Sequence, residues 1–281
     1  MSTELTVLNN STDLQQGGLG IDTTNKLFQL KPSTLIIVQP GTTIEGANKG
    51  NLRISETGDE FKDLECSLLI MPTEQRACYS GEPGELNKIP ENLMCFSRDM
   101  VKPDPKAKIP QAMFCNGCPQ SDWKAWQDYK KDTGKSNKAL APRCQSFYIV
   151  HLIDTKYQLP LRMYIRAKAK QTFEQGTQNI ARMIAMAKAQ KKNPNLFDVK
   201  FKLSTKLVVE GQYKYYVPTI SEWKFISDEE REAFGAIYNS FIEQQAQINA
   251  SQAQVQNTEQ ANKVEEVITG DYVGENEEIT I

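Results

Sequence analysis

The sequence predicts a mainly β protein with flanking helices, of the α+β class. Three observations predict it: six runs of strand length, one long segment with helical spacing of its apolar residues, and a capped apolar stripe toward the C-terminus. Residues 1–25 are rich in Ser, Thr, Asn, Gln and Gly and read as a flexible N-terminal arm. TLIIVQP (34–40) and LECSLLIMP (64–72) are apolar runs closed by proline, and both read as strands, with Gly- and Asn-rich loop between them. Residues 79–119 carry many Pro and Gly and almost no periodicity, so something other than an apolar core must order them. Ser121 is placed to cap a short helix over DWKAWQDYKK.

A strand-rich section follows: QSFYIVHLI (145–153), LPLRMYIRAK (159–168), FDVKFKLSTKLVV (197–209) and QYKYYVPTI (212–220). Between the second and third, residues 171–192 space Phe173, Ile180, Met183, Ile184 and Ala187 as an amphipathic helix does. A last helix, 227–247, starts at a capping box of Ser227 and Glu230 and carries Phe234, Ile237, Tyr238 and Phe241 as its stripe. Residues 248–281 read as a Gln-rich linker and an acidic tail, helix-permissive but with little to bury. The main domain is thus expected over 26–226.

Hydrophobic residues make up 39% of the 281 and charged residues 24%. No run approaches the roughly 18 apolar residues of a membrane span, and the first residues lack the basic start and apolar block of a secretory signal. A reducing cytoplasm without disulfides is the expected setting. The net charge of -2 conceals a division. Residues 227–281 carry 12 acidic and 2 basic residues, a net of -10, which leaves +8 on the body. A basic body joined to an acidic tail points to a polyanion partner with a competitor for it built into the chain.

Cys115 and Cys118 form C-x2-C, and Cys95 and Cys144 flank them with 19 and 25 intervening residues. Four thiolates around zinc need only tetrahedral convergence, which one tight turn and flexible loops can supply. Cys95, Cys115, Cys118 and Cys144 are the expected ligands of a structural Zn2+, with Cys78 competing for the place of Cys95. Four thiolates leave no open position for water, and no carboxylate-bearing catalytic motif accompanies them. Cys66, inside an apolar run, reads as core, and His151, the sole histidine, as a strand histidine.

CFSRD (95–99), CNGCP (115–119), a following tryptophan, GK, and a fourth cysteine leading into CQSFYIVHLI together resemble a family of bacteriophage single-stranded DNA-binding proteins. The resemblance covers roughly residues 28–225. It implies an OB-fold-like barrel with an inserted zinc element, about 93–146, and a life in the cytoplasm of an infected bacterial cell. It further implies an acidic tail that recruits replication partners. The long spacer KDTGKSNKALAP before Cys144 departs from the family pattern.

Residues 156–214 hold 13 basic against 3 acidic residues. Read as one strand, Arg162, Tyr164, Arg166, Lys168 and Lys170 share a face opposite Leu161, Met163 and Ile165. Lys200, Lys202 and Lys206 do the same opposite Phe201 and Leu203. Single-stranded nucleic acid needs cations for its phosphates and flat side chains for its bases. Tyr164, Tyr213, Tyr215 and Tyr216 are candidates for the second role. Trp123 and Trp126 have two readings: stacking on bases, or packing against the zinc turn.

The function expected is to coat single-stranded DNA without sequence preference in phage replication or recombination, the tail providing autoinhibition and partner recruitment. The alternative is a zinc-containing protein-interaction or transcription-regulatory factor. An enzyme is not expected, because acids are scarce where cations are dense and one histidine leaves few nucleophile–base pairs.

Overall fold

Alternation of apolar and polar residues builds one mixed sheet of ten strands. The computed structural model describes residues 32–80, 92–124, 128, 142–247 and 250. Its strands are β1 (Ser33–Ile37), β2 (Leu52–Ile54), β3 (Glu60–Phe61), β4 (Asp63–Leu68), β5 (Thr73–Tyr79) and β6 (Leu93–Ser97). Next come β7 (Cys144–Asp154), β8 (Pro160–Arg166), helix α1 (Lys168–Ala189), a 3-10 turn (Leu196–Asp198), β9 (Val199–Glu210) and β10 (Tyr213–Phe225). Helix α2 runs over 228–247.

The strand order is β10-β9-β4-β7-β8-β1-β2-β3, with β5 also on β7 and β6 on β5. Among the described residues only the β1·β8 pair is parallel. The eleven-residue β7 is long enough to pair with β4 along its C-terminal half and β5 along its N-terminal half. The sheet does not close by a backbone ladder, but its two ends meet. Gln39, just past β1, donates from Nε2 to the Tyr216 carbonyl at 2.9 Å and accepts from the Tyr216 N–H at 2.8 Å. The Thr205 hydroxyl on β9 donates to the Gly50 carbonyl.

The main core lies inside this curl: Leu35, Leu52, Leu68, Leu152, Leu161, Met163 and Ile165 are almost fully buried. After the buried Pro160 that opens β8, the buried residues of β8 and β9 are the alternating 161, 163, 165 and 199, 201, 203, as a half-buried strand requires. Helix α1 packs on β10 through Phe173, Gly176 and Ile180. A Cβ at Gly176 would stand 2.6 Å from Ile220 Cβ, a branch point that cannot swing away. Gly235, on α2, has nothing within 4 Å.

The same substitution should therefore have opposite signs at the two sites. Gly176→Ala is expected to cost about 1–2 kcal/mol, overpacking outweighing the helix-propensity gain. Gly235→Ala should stabilise by up to about 1 kcal/mol. Urea denaturation of both variants checks this.

A second core cluster joins α2 to the rest, with Phe234 and Phe241 against Leu69, Ile153, Phe197 and Ile226. The capping box is formed: the Glu230 N–H donates to Ser227 Oγ at 3.2 Å and the Ser227 N–H to Glu230 Oε2 at 2.8 Å. His151 stacks on Phe241 with ring centroids 4.8 Å apart, and its Nδ1 finds no hydrogen-bond partner among the described residues. Burial, then the Arg162 charge, holds its pKa down at about 4. An imidazole whose folded pKa lies below its unfolded value takes up its proton more readily unfolded. Stability should fall as pH drops from about 6.5, the unfolded value, toward 4. His151→Phe should flatten that part of a melting-temperature profile, and an unchanged slope would assign it to other groups.

Three sequence expectations change here. Strand β6 lies within the stretch read as irregular, and β2 and β3 lie in the stretch read as loop. The strand beginning at 160 ends at Arg166, since Ala167 adopts φ +46° and turns the chain into α1. Lys168 and Lys170 are helical and do not continue the face of Tyr164. Ser121 does not cap a helix: its hydroxyl donates to the Cys118 carbonyl at 3.0 Å, while Asp122 Oδ1 accepts from the Lys124 N–H at 2.7 Å. The arm, the tail and all of the linker but residue 250 lie outside the described residues, as do 125–127 and 129–131 of the short segment. Among the described residues no helix is long and apolar enough to cross a membrane.

Candidate functional site

The β9–β10 hairpin stands away from β1 and β8, and the gap between them is a groove of about 760 Å3. Leu35, Ile37, Met163, Ile165 and Pro218 supply apolar lining. Tyr164, Tyr213, Tyr215 and Tyr216 also line it, with Arg166 and Lys168 as its cations and Glu210 as its one acid among the described residues. Four tyrosines reach one cavity because β8, which carries Tyr164, and β10, which carries the other three, both line it although three strands separate them in the sheet.

The tyrosines differ in how they are held. Tyr216 is clamped by Gln39, and its ring lies where a Cβ on Gly50 would come within 2.6 Å. Gly50 itself has φ +87°, so only glycine suits that turn. Tyr213 is 63% exposed and Tyr164 40%, leaving ring faces free for a ligand. Arg162 lies over the Tyr164 ring at 5.3 Å, Phe147 is 5.8 Å from the same ring, and Arg166 is 5.7 Å from Phe147. Phe147, a residue sequence reading did not single out, thus joins the groove's cations to its exposed aromatic; its register opposite Arg166 on β7 is the signal.

Lys168 Nζ meets Glu210 Oε2 at 2.5 Å across the groove mouth. This pair raises the lysine's pKa and lowers the glutamate's, each mainly through the shared hydrogen bond. Tyr215 hydrogen-bonds the same carboxylate, and its phenol is raised by desolvation first and by that bond second. With side chains 65% and 43% exposed, the pair is screened by solvent and adds little to stability.

Other expected DNA contacts are engaged elsewhere. Lys170 pairs with Glu74, bonds Ser146 at 3.0 Å and lies over the Tyr148 ring. Lys200, its side chain only 13% exposed, is held between Glu230 at 2.5 Å and Glu65 at 3.5 Å. Lys202 pairs with Glu222 at 2.6 Å. Lys200 and Lys202 alternate on β9 as expected, but acids from neighbouring strands and α2 occupy all three lysines. Lys206 is exposed on β9 and does not line the groove. Trp123 is 53% exposed and so is not packed away against the cysteine turn. Trp126 lies outside the described residues.

The cysteines gather at the far end of β7. Cys95, Cys78 and Cys144 stand in register on β6, β5 and β7, forming one row across three strands. Residues directly opposite in antiparallel strands point to the same face, and Cys115 and Cys118 join that face from the loop. All five line a cavity of about 10 Å3, roughly the room one water or ion takes. Gly117 has φ +74°, which lets the C-x2-C turn close. The Arg76 Nη1 donates to the Cys115 carbonyl at 3.1 Å, tying the loop to β5.

Burial, then neighbouring sulfur, pushes the thiols of Cys78 and Cys144 up to about 12, and burial also raises Cys95. Among the described residues no three Cys, His, Asp or Glu side chains stand at finished metal-binding geometry. The donor set still suits a soft or borderline cation in type and number. The central place belongs to Cys78, which spacing along the chain had made only a competitor. Cys66 is fully buried in the main core, apart from this row. Compared with known proteins, the chain matches no family model, no curated protein and no solved structure.

Proposed function

We propose that this protein binds single-stranded DNA without sequence preference and coats it during phage DNA replication or recombination. The observation that carries the reading is the groove: apolar lining, four tyrosines and two cations, in a cavity wide enough for unpaired bases. Bases stack on Tyr164 and Tyr213, which keep free faces, while Arg166 and Lys168 meet the phosphates. A duplex offers no free base faces to such a groove and binds through charge alone. Nothing in this scheme requires catalysis by the chain.

The sheet whose ends are joined by Gln39 and Thr205, capped by a helix between β8 and β9, supports reading the fold as OB-like. The cysteine row and the Cys115–Cys118 turn are read as a zinc element. Cys78, Cys115 and Cys118 would hold Zn2+ with Cys95 or Cys144, the ion bracing the loop against β5–β7. The acidic tail competes with DNA for the basic body and, when displaced, recruits partners.

A fluorescence-anisotropy titration with single-stranded and duplex oligonucleotides, at low and moderate salt, tests the reading. Sequence-tolerant binding that prefers single strands and weakens with salt supports it; equal or negligible binding to both forms rejects it. In that event the alternative gains, a protein-interaction or transcription-regulatory factor. Exposed Val101, Met113, Phe114 and Trp123 around the cysteine loop would then be its contact surface.

A further inference from the structure

We propose that Glu210 is a carboxylate placeholder for a DNA phosphate: in the free protein it holds Lys168 across the groove mouth, and an incoming strand exchanges its own phosphate for it. The inference rests on the single-stranded DNA reading of the groove and adds the event that opens it.

The two partners come from opposite walls. Lys168 is the first residue of α1, continuous with β8, while Glu210 ends β9 at the base of the hairpin turn. Their contact at 2.5 Å spans the opening between those walls. Glu210 is the one acid among the described residues that line the groove, in a place where a negative charge opposes the proposed ligand. Tyr215 bonds the same carboxylate, so the acid also occupies one of the tyrosines that would face the strand.

Exposure sets this pair apart from those of Lys170 and Lys200. Lys170 and Lys200 are held by acids with little solvent access, whereas both members of the Lys168–Glu210 pair are well exposed. An exposed pair is weak and exchanges readily for another anion. A phosphodiester oxygen presents the same charge and acceptor chemistry to Lys168 as the carboxylate does. Leaving Lys168, Glu210 swings to solvent and frees Tyr215, so this one tie between the turn end of the hairpin and the start of α1 is released.

Glu210→Gln and Glu210→Ala are measured against the intact protein by anisotropy with a labelled oligothymidylate over a salt series. Melting temperature serves as the folding control. Both variants should bind about 3- to 10-fold tighter at low salt, and log K should fall more steeply with log salt by about one unit, since Lys168 then releases a counterion. Combining either with Lys168→Met should remove most of the gain. Glu222→Gln removes an equally exposed acid from outside the groove and should change affinity little.

If the intact protein binds single strands tightly and the Glu210 variants bind equally or more weakly, the placeholder is wrong and the groove reading stands. A gain as large from Glu222→Gln also overturns it, assigning the effect to net charge. If the intact protein does not bind single strands, both readings fall.

Discussion

Alanine at Tyr213 or Tyr164 is expected to weaken single-stranded DNA binding about 5- to 150-fold for each residue, the 1–3 kcal/mol that one base stack contributes. Both rings line the groove with faces free, and neither is clamped by a hydrogen bond between the two ends of the sheet. The loss should leave the melting temperature nearly unchanged, because little core is removed. Tyr216→Ala should behave differently. Alanine keeps the backbone N–H and C=O that bond Gln39 but empties the space the ring fills beside Gly50, so packing at the join loosens and the melting temperature falls. Anisotropy and thermal melting on the three variants separate stacking from scaffolding. Unchanged affinity for both Tyr164→Ala and Tyr213→Ala would remove the groove from DNA binding.

Protein purified under reducing conditions is expected to hold about one zinc per chain, measurable by atomic emission. A structural zinc of this kind contributes on the order of 10 kcal/mol of apparent binding energy, so its removal should lower the melting temperature far more than any surface substitution. Cys115→Ser with Cys118→Ser should abolish the metal, whereas Cys66→Ala, in the main core, should keep it.

Position in the row distinguishes the remaining ligands. Strands lie about 4.8 Å apart, which sets Cys95 and Cys144 about 10 Å from each other with Cys78 between them. One ion reaches the middle thiol first, so Cys78→Ser should cost more affinity than Cys95→Ser. A metal content near zero with a native melting temperature would leave the row as buried thiols.

Much of the scaffold was legible because local pattern and tertiary demand agree. The 2-residue alternation of β8 and β9, the helical spacing of Phe173, Ile180 and Ala187, and the Ser227–Glu230 box each satisfy their own backbone and bury their own face. The short strands β2, β3 and β6 were not legible. Three or fewer alternations, or a run crowded with Pro and Gly, carry no period, and these strands exist because longer neighbours pair with them.

The site was legible by residue type and much less by assignment. Tyr164, Arg166, Tyr213 and Tyr215 share one cavity. Lys170, Lys200 and Lys202 had the same appearance in sequence, but acids distant in the chain neutralise them, and no spacing rule reveals a partner 96, 30 or 20 residues away. Phe147 and Glu210 went unnoticed for the same reason.

The sequence by itself determined the longer strands and the two helices, where positive charge is dense, and that cysteines would be drawn toward the C-x2-C turn, since each depends on residues near one another in the chain. Only the tertiary structure decided that β1 and β8 face the β9–β10 hairpin across a groove, that Ala167 turns Lys168 to its rim, and that Cys78 stands at the centre of the thiol row. Those outcomes depend on strand order and register, which are set by how all the apolar faces are buried at once.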